Sequence, residues 1–299
     1  MAEIVECVPN FSEGRRKEVV DAIAAAIASV PKVRLLDQEM DANHNRCVIT
    51  FVGDRASVAE GAMAGARKAV ELIDMNAHRG EHPRIGALDV LPFVPISGVT
   101  MADCVELART VGKRLAEELG VPVYLYAAAA TRPDRKVLAN VRQGEYEGLK
   151  AEIETNPDRA PDFGQRRMHS TAGATAVGAR PVLVAWNVNL ATSDLLLAKR
   201  IAKEIRESDG GFPGVQARGF ALADKGIVQV SMNTLDYRTT SLVRTFEAIR
   251  SKAQAAGVNI AETEIIGLIP LDALVDGAKE YFRLTGLRRA QILETRLWE

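Results

Sequence analysis

Apolar residues follow the same succession of spacings in both halves of this 299-residue chain. Short runs of strand length alternate with stretches in which apolar residues recur every three or four positions, as on one face of a helix. In the first half this predicts strands at 4–8, 33–36, 46–52 and 87–96, with helices after Ser12, after Ser57 and over 101–119. In the second half it predicts strands at 181–186, 215–221, 227–232 and 263–269, with helices after Thr192 or Ser193, after Thr240 or Ser241, and over 272–284.

The order strand–helix–strand–strand–helix–strand is that of a ferredoxin-like unit, a sheet with its helices on one face. Its repetition predicts an α+β fold built from duplicated ferredoxin-like βαββαβ units. We expect an N-terminal domain at 1–179 and a C-terminal domain at 180–299. The irregular stretch 147–175 would join or line the two halves, because a long irregular connection in a compact protein is usually functional or disordered.

The charge balance argues against nucleic acid and anionic membranes as partners. The chain has 38 basic and 39 acidic residues, a net charge of -1, and no block of Lys or Arg. No apolar stretch approaches the ~20 residues of a membrane span, and the first residues do not resemble a signal peptide. We therefore expect a cytoplasmic protein.

The three cysteines, Cys7, Cys47 and Cys104, lie far apart and form no CxxC pair. Their odd number and wide spacing suggest neither a disulfide framework nor a zinc site. We expect three buried free thiols in a reducing compartment, and no metal ion.

His82 lies in the segment 74–86, which is dense in ionisable residues, Gly and Pro and is predicted to be irregular. A histidine in such a loop is a candidate proton carrier, because an imidazole pKa of ~6.5 allows it to act in both directions near neutrality. The alternative is a structural histidine whose ring only forms hydrogen bonds within its own loop. A metal site shared with His78 would need a helix to bring the two rings together, and Gly80 and Pro83 disfavour one.

A second polar cluster occupies residues 39–46, between two predicted strands. It contains Glu39, Asp41 and Arg46, which could be the solvated tip of a hairpin. The functional alternative is an acidic group that orients or charges an imidazole.

Several motifs, in their order along the chain, resemble the formiminotransferase family. The resemblance is dense in the first half and looser in the second. It is carried by VECVPNFSEG at 5–14, GEHPRIGALDV at 80–90, GVTM at 98–101, LAEELGVPVYLY at 115–126, GEYE at 144–147, PDFG at 161–164 and GAT at 173–175.

This resemblance implies two ferredoxin-like subdomains with a folate-binding tunnel between them. It implies transfer of a formimino group from N-formimino-L-glutamate to tetrahydrofolate, a step of histidine degradation, by a homodimer. Tetrahydrofolate is then a co-substrate, and no metal is needed. Two alternatives stay open: an enzyme that uses a formyl donor or processes 5-formyltetrahydrofolate, and a folate-binding module without catalysis.

The resemblance also assigns candidate residues. His82 matches the catalytic histidine of the family, and Glu39 matches the position of its acidic partner, with Asp41 close by. Arg46 and Arg84 are candidates for binding substrate carboxylates, because a guanidinium offers a bidentate fork, although each could be an ordinary surface arginine. The folate-binding segment falls on Phe163, Gly164, Gln165, Arg166, Arg167, Met168, His169, Ser170, Thr171 and Ala172.

Overall fold

The computed structural model describes residues 2–222 and 225–297, and it confirms a mixed α+β fold. The chain divides into two compact units, Met1–Pro181 and Val182–Glu299, which we call unit 1 and unit 2. Each unit has its own sheet and its own buried apolar cluster. Within the described residues, no helix combines the length and apolar character that crossing a membrane requires.

The regular elements of unit 1 follow the predicted order and then continue beyond it. The strands are β1 (Ile4–Cys7), β2 (Asn10–Phe11), β3 (Arg34–Asp41), β4 (Arg46–Gly53), β5 (Leu88–Ser97), β6 (Val123–Ala127) and β7 (Thr175–Ala179). The helices are α1 (Lys17–Ala28), α2 (Arg55–Leu72), α3 (Met101–Leu119), α4 (Leu138–Val141) and α5 (Glu145–Glu152).

The sheet of unit 1 is antiparallel at one side and parallel at the other. β3 pairs with β4, β4 pairs with β1 and β2, and both of these also pair with β5, all antiparallel. β1 and β2 thus act as one interrupted strand, with β4 on one side and β5 on the other. β7 pairs in parallel with β5, and β6 in parallel with β7.

The alternation of β4 sends one set of side chains into the core. Cys47, Ile49 and Phe51 are at most 1% exposed and pack in the apolar cluster that contains Ile23 of α1 and Met63 of α2. Because successive strand residues point to opposite faces, these contacts identify the helix-covered face of the sheet.

The opposite face of the sheet is charged near the turn that joins β3 and β4. Arg46 belongs to the other alternating set of β4, and Asp41 lies directly opposite it on β3, with Glu39 opposite Val48. Cross-strand partners share a face. The sheet therefore presents two carboxylates and a guanidinium away from the helices.

Unit 2 repeats the strand order of the antiparallel part of unit 1. Its four strands are antiparallel, and β8, the first along the chain, lies between the fourth and the third. The elements are β8 (Val184–Leu190), α6 (Leu195–Ile205), β9 (Val215–Leu222), β10 (Ile227–Thr234), α7 (Leu242–Ala255), β11 (Ile260–Ile266), α8 (Leu271–Phe282) and α9 (Leu293–Leu297). The Trp186 indole N–H donates to Thr234 Oγ1 at 3.0 Å and joins β8 to β10 within the core.

The structure corrects several predicted boundaries. Glu39 and Asp41 lie in β3 and not in the predicted loop, because backbone pairing with β4 continues to the polar end of the strand. The predicted strand 181–186 begins three residues later and continues to Leu190, through two asparagines. β6 and β7 were not predicted, and the stretch 147–175 contains most of α5.

Helix starts were also misplaced by a few residues. α1 begins at Lys17, after Glu13 has accepted hydrogen bonds from the backbone N–H groups of residues 15 and 16. Ser57 does not cap α2, because the carboxylate of Asp54 accepts the Ser57 N–H at 2.8 Å. Asp194 caps α6 in the same way, whereas Ser241 caps α7 as predicted. In two of the four cases, α2 and α6, an aspartate rather than a nearby hydroxyl accepts the free N–H groups of the first turn.

The three cysteines are buried free thiols, as the sequence predicts. Burial raises the pKa of Cys47 to about 12 and that of Cys104 to about 11, and it raises the pKa of Cys7 as well. The thiolate is the reactive form of cysteine. These side chains therefore fill the core and are poor nucleophiles.

The segment between α2 and β5 has no regular structure and lies tightly against the turn between β3 and β4. A Cβ atom built on Gly80 would lie 2.3 Å from the carbonyl oxygen of His44 and 2.9 Å from Cβ of Asn45. Only glycine allows so close an approach of two backbone segments. Gly80 therefore fixes the position of the segment 74–86 relative to the turn.

We expect Gly80→Ala to destabilise the protein, because the added methyl group meets a backbone atom that no rotamer change can move. The expected loss is about 1–3 kcal/mol of unfolding free energy, measured by urea denaturation. Gly148→Ala is the matched control: it lies in α5 with no atom within 4 Å of the added carbon. It should be neutral or stabilise by roughly 0.4–1 kcal/mol. Equal effects of both variants would show that the close approach is not a constraint.

Candidate active site

Three backbone contacts hold the segment that carries His82. The hydroxyl of Ser12 donates to the carbonyl oxygen of Gly86 at 2.7 Å, and the Ile85 N–H donates to Asp89 Oδ1 at 2.8 Å. At the end of the segment, the Ala87 N–H donates to the carbonyl oxygen of Ala172 at 2.8 Å. Although it lacks regular structure, the segment is therefore fixed to the residue that follows β2, to β5 and to the residues that precede β7.

Asn45 ties the same segment to the β3–β4 turn. Its side-chain oxygen accepts the Gly14 N–H at 3.0 Å, and its side-chain NH₂ donates to the Arg79 carbonyl at 2.9 Å. Its own carbonyl accepts Nε2–H of His78 at 2.9 Å. Asn45 is 8% exposed and has a φ of 49°, a conformation in which asparagine is favoured over most residues. One buried amide thus joins three segments.

His82 is half-buried, and its ring contacts a cation. Nη1 of Arg46 lies 2.7 Å from Nε2 of His82. Because a guanidinium can only donate, Nε2 is an acceptor here and the imidazole is neutral. Burial, followed by the positive charges of Arg46 and Arg142, lowers the pKa of His82 to about 3. His82 is therefore neutral near pH 7, which is the form of the ring that can accept a proton.

The two candidate carboxylates have different surroundings. Asp41 Oδ2 lies 2.6 Å from Nδ1 of His44, and Oδ1 accepts the backbone N–H groups of Asn43 and His44 at 2.9 Å each. Burial opposes ionisation of Asp41, but these hydrogen bonds prevail and lower its pKa. Glu39 lies on the same strand, and its charge favours the protonated guanidinium of Arg46, after those of Asp41 and Asp89. The hydrogen bond to His82 Nε2 comes from an arginine, so a carboxylate partner for this ring stays a prediction.

Arg84 is 6% exposed and lies among carboxylates of α5. Its Nη1 and Nη2 donate to Glu145 and Glu147 at 2.7 Å each, and Glu147 accepts a further bond at 2.9 Å. A substrate carboxylate would have to compete with both residues for this guanidinium. Nη1 of Arg46 instead contacts His82.

A second arginine near His82 was not found from the sequence. Arg142 donates to Asp89, which is 2% exposed, and its charge acts on both His82 and Arg46. A buried carboxylate needs such a partner, because an unpaired charge is costly to desolvate. No spacing pattern links residues so far apart in the chain, so only the fold brings Arg142 to the site.

His78 serves the structure of the site. Its Nε2–H donates to Asn45, and its Nδ1 accepts from Nε of Arg84 at 3.4 Å. Both ring nitrogens are therefore occupied, which opposes a metal site shared with His82. Within residues 2–222 and 225–297, no group of three or more His, Cys, Asp or Glu side chains is arranged to hold a metal ion.

The side chains around His82 line one small polar cavity. It contains the donors and acceptors needed for proton transfer and two arginines suited to carboxylates. The lining residues are Asn10, Phe11, Ser12, His44, Asn45, Arg46, His78, His82, Arg84 and Asp89.

The predicted folate segment, 163–172, divides into two parts. At its start, Phe163 packs against Gly112 of α3, and Gly164 lies beside Pro122, away from the contacts that hold His82. At its end, the carbonyl oxygens of Thr171 and Ala172 accept the N–H groups of residues 75 and 87, at either end of the segment 74–86. Between them, Gln165, Arg166, Arg167 and Ser170 are exposed, His169 is half-buried and Met168 is buried.

Unit 2 has a polar network that the sequence analysis missed. Gln229 donates to Asn189 and to Glu264 at 3.0 Å each, Asn187 donates to Glu264 at 2.9 Å, and Asn189 donates to Glu262 at 2.9 Å. The alternation of polar residues, N-x-N in β8 and E-x-E in β11, was the available signal. The predicted strand, 181–186, stops before these asparagines, which lie within β8.

Comparisons with known proteins identify the family of this chain. The model "Formiminotransferase domain, N-terminal subdomain" matches residues 4–180, and "Formiminotransferase domain" matches residues 185–294. A glutamate formimidoyltransferase of Thermoplasma acidophilum is 52% identical over 98% of this chain and 97% of its own length. The enzyme of the same name from Streptococcus pyogenes serotype M1 is 49% identical over 99% of both chains. A formimidoyltransferase-cyclodeaminase of Gallus gallus is 47% identical over 95% of this chain and 53% of its own length. The chain belongs to the formiminotransferase family.

Proposed function

We propose that this protein is a glutamate formimidoyltransferase, which transfers the formimino group of N-formimino-L-glutamate to tetrahydrofolate in histidine degradation. The products are 5-formiminotetrahydrofolate and L-glutamate. The observation that carries the proposal is the neutral His82, fixed in a polar cavity beside Arg46, in a chain that shares about half its residues with enzymes of that name over nearly its full length.

The reaction needs a proton acceptor. N5 of tetrahydrofolate attacks the formimino carbon and must lose its proton, while the departing glutamate nitrogen must gain one. A neutral imidazole is suited to the first task. Bringing both substrates together in one site removes much of the entropic barrier.

Arg46 binds a carboxylate of the substrate in this proposal. In the structure described here, its Nη1 occupies the lone pair of His82 Nε2. A substrate carboxylate that draws the guanidinium away frees Nε2 to act as a base. Substrate binding and activation of His82 are then the same event. Arg84 would bind a second carboxylate only in competition with Glu145 and Glu147.

The proposed architecture is a pair of ferredoxin-like domains, at 1–179 and 180–299, with a folate tunnel between them. The shared order of elements and the shared order of the four antiparallel strands support the duplication. The segment 163–172 would bind folate, most directly through its end, which contacts the segment 74–86. We further propose a cytoplasmic homodimer that uses no metal ion.

His82→Ala should lower kcat by about 10²–10⁴, the usual contribution of a positioned acid or base. The affinity for 5-formyltetrahydrofolate, measured by calorimetric titration, should change little, which also shows that the variant is folded. Turnover is measured with N-formimino-L-glutamate and, separately, with N-formyl-L-glutamate. Near-normal turnover would remove His82 from the mechanism. A parent enzyme that accepts only the formyl donor would replace the proposed activity, and one that binds folate but accepts neither donor would be a binding module.

Glu39→Gln should lower kcat/KM roughly tenfold, about 1.4 kcal/mol of barrier, because Glu39, with Asp41 and Asp89, is one of the negative charges that act on Arg46 beside His82. Asp37→Asn is the matched control, since Asp37 lies on the same strand, opposite Thr50 and further from Arg46. Its kcat/KM should be close to that of the parent. Equal losses of kcat/KM in the two variants would mean that the negative charges of β3 act on the site without regard to their position along the strand.

A further inference from the structure

The side chain of His44 is held by a carboxylate at the turn between β3 and β4. Nδ1 of His44 lies 2.6 Å from Asp41 Oδ2. Asp41 is itself fixed, because its other oxygen accepts two backbone N–H groups of the turn at 2.9 Å. A carboxylate can only accept, so the proton of His44 sits on Nδ1 and its Nε2 is the nitrogen available for exchange with a substrate.

The ring of His44 faces the ring of His82. Their centroids are 6.1 Å apart and their planes meet at 80°, and both rings line the same cavity. Two contacts fix this separation. Gly80 packs against the carbonyl oxygen of His44, and the side chain of Asn45 donates a hydrogen bond to the segment 74–86. With 45% of its side chain exposed, His44 is also open to small molecules from solvent.

The two rings have opposite electrostatic surroundings. Nε2 of His82 meets the guanidinium of Arg46, with Arg142 nearby, so an added proton there would face positive charge. A proton added to His44 would have the carboxylate of Asp41 in direct contact. Pairs of titratable groups in such opposed environments divide the roles of base and acid in many enzymes.

We propose that His44, oriented by Asp41, is the proton donor to the departing glutamate nitrogen, while His82 is the base. This inference rests on the proposed formimino transfer but adds a residue to it. N5 of tetrahydrofolate forms a bond to the formimino carbon as the C=N π electrons move to the terminal nitrogen, and His82 takes the N5 proton. The terminal nitrogen then re-forms the double bond, the carbon–nitrogen bond to glutamate breaks, and His44 gives that nitrogen its proton. Return of one proton from His82 to His44 across the cavity restores both rings, so protons balance.

His44→Ala should lower kcat by about 10–100-fold with N-formimino-L-glutamate, and added imidazole should restore turnover saturably. His44→Gln, which preserves more of the side chain, should lose the same activity and gives a second variant if the first folds poorly. Asn43→Ala, in the same exposed turn, is the matched control and should behave like the parent. Asp41→Asn should lower kcat without rescue by imidazole, because the ring of His44 still occupies the site.

Turnover of His44→Ala above half of the parent value, or a loss that imidazole does not restore, would overturn this proposal. Its failure is distinct from failure of the proposed function. A parent protein that does not transfer the formimino group would remove the proposed function itself. An active parent with an inactive His82→Ala variant and a fully active His44→Ala variant would keep the function and remove only the role of His44.

Discussion

The site depends on the hydrogen bonds of one buried amide. Asn45 joins the segment after β2, the turn between β3 and β4, and the segment that carries His82, through Gly14, His78 and Arg79. A buried polar group must find partners, and here the partners belong to two segments other than the turn that contains Asn45. Loss of any one contact would leave an unsatisfied group and would also release a wall of the cavity. Stability and geometry of the site are therefore coupled at this residue.

Charged side chains surround His82 at different distances. Arg46 contacts His82 directly, the buried pair Arg142–Asp89 lies nearby, and the buried guanidinium of Arg84 pairs with two exposed carboxylates of α5. Pairing makes burial of these charges tolerable, although it contributes little net stability. Their joint effect is a positive environment at His82. The low pKa of His82 follows from burial and from this arrangement together.

Much of the fold could be predicted because periodicity reports which face of an element is buried. The apolar run 46–52 predicted β4, and the helix predicted over 101–119 has the bounds of α3. The polar end of β3 was missed because the strand face there is charged, so no apolar alternation marks it. The asparagines of β8 were misinterpreted for the same reason.

The position of His82 in an irregular, polar segment could also be predicted, but its partners could not. Arg46 is 36 residues away in sequence and Arg142 still further, and such contacts arise only from strand pairing and loop packing. Even a local contact could not be predicted at the start of α2, because several neighbouring residues could have capped the helix and Asp54 does so.

The protonation state of His82 is the central claim, and NMR of its ring nitrogens tests it most directly. A pKa of about 3 means that protonation occurs only as the pH falls well below 5, so the ring should stay neutral, with its proton on Nδ1, from pH 8 down to pH 5. In Arg46→Met, loss of the neighbouring positive charge should raise the pKa, so that protonation begins at a higher pH. An imidazole in the parent protein that titrates near the ordinary value of ~6.5 would contradict the account.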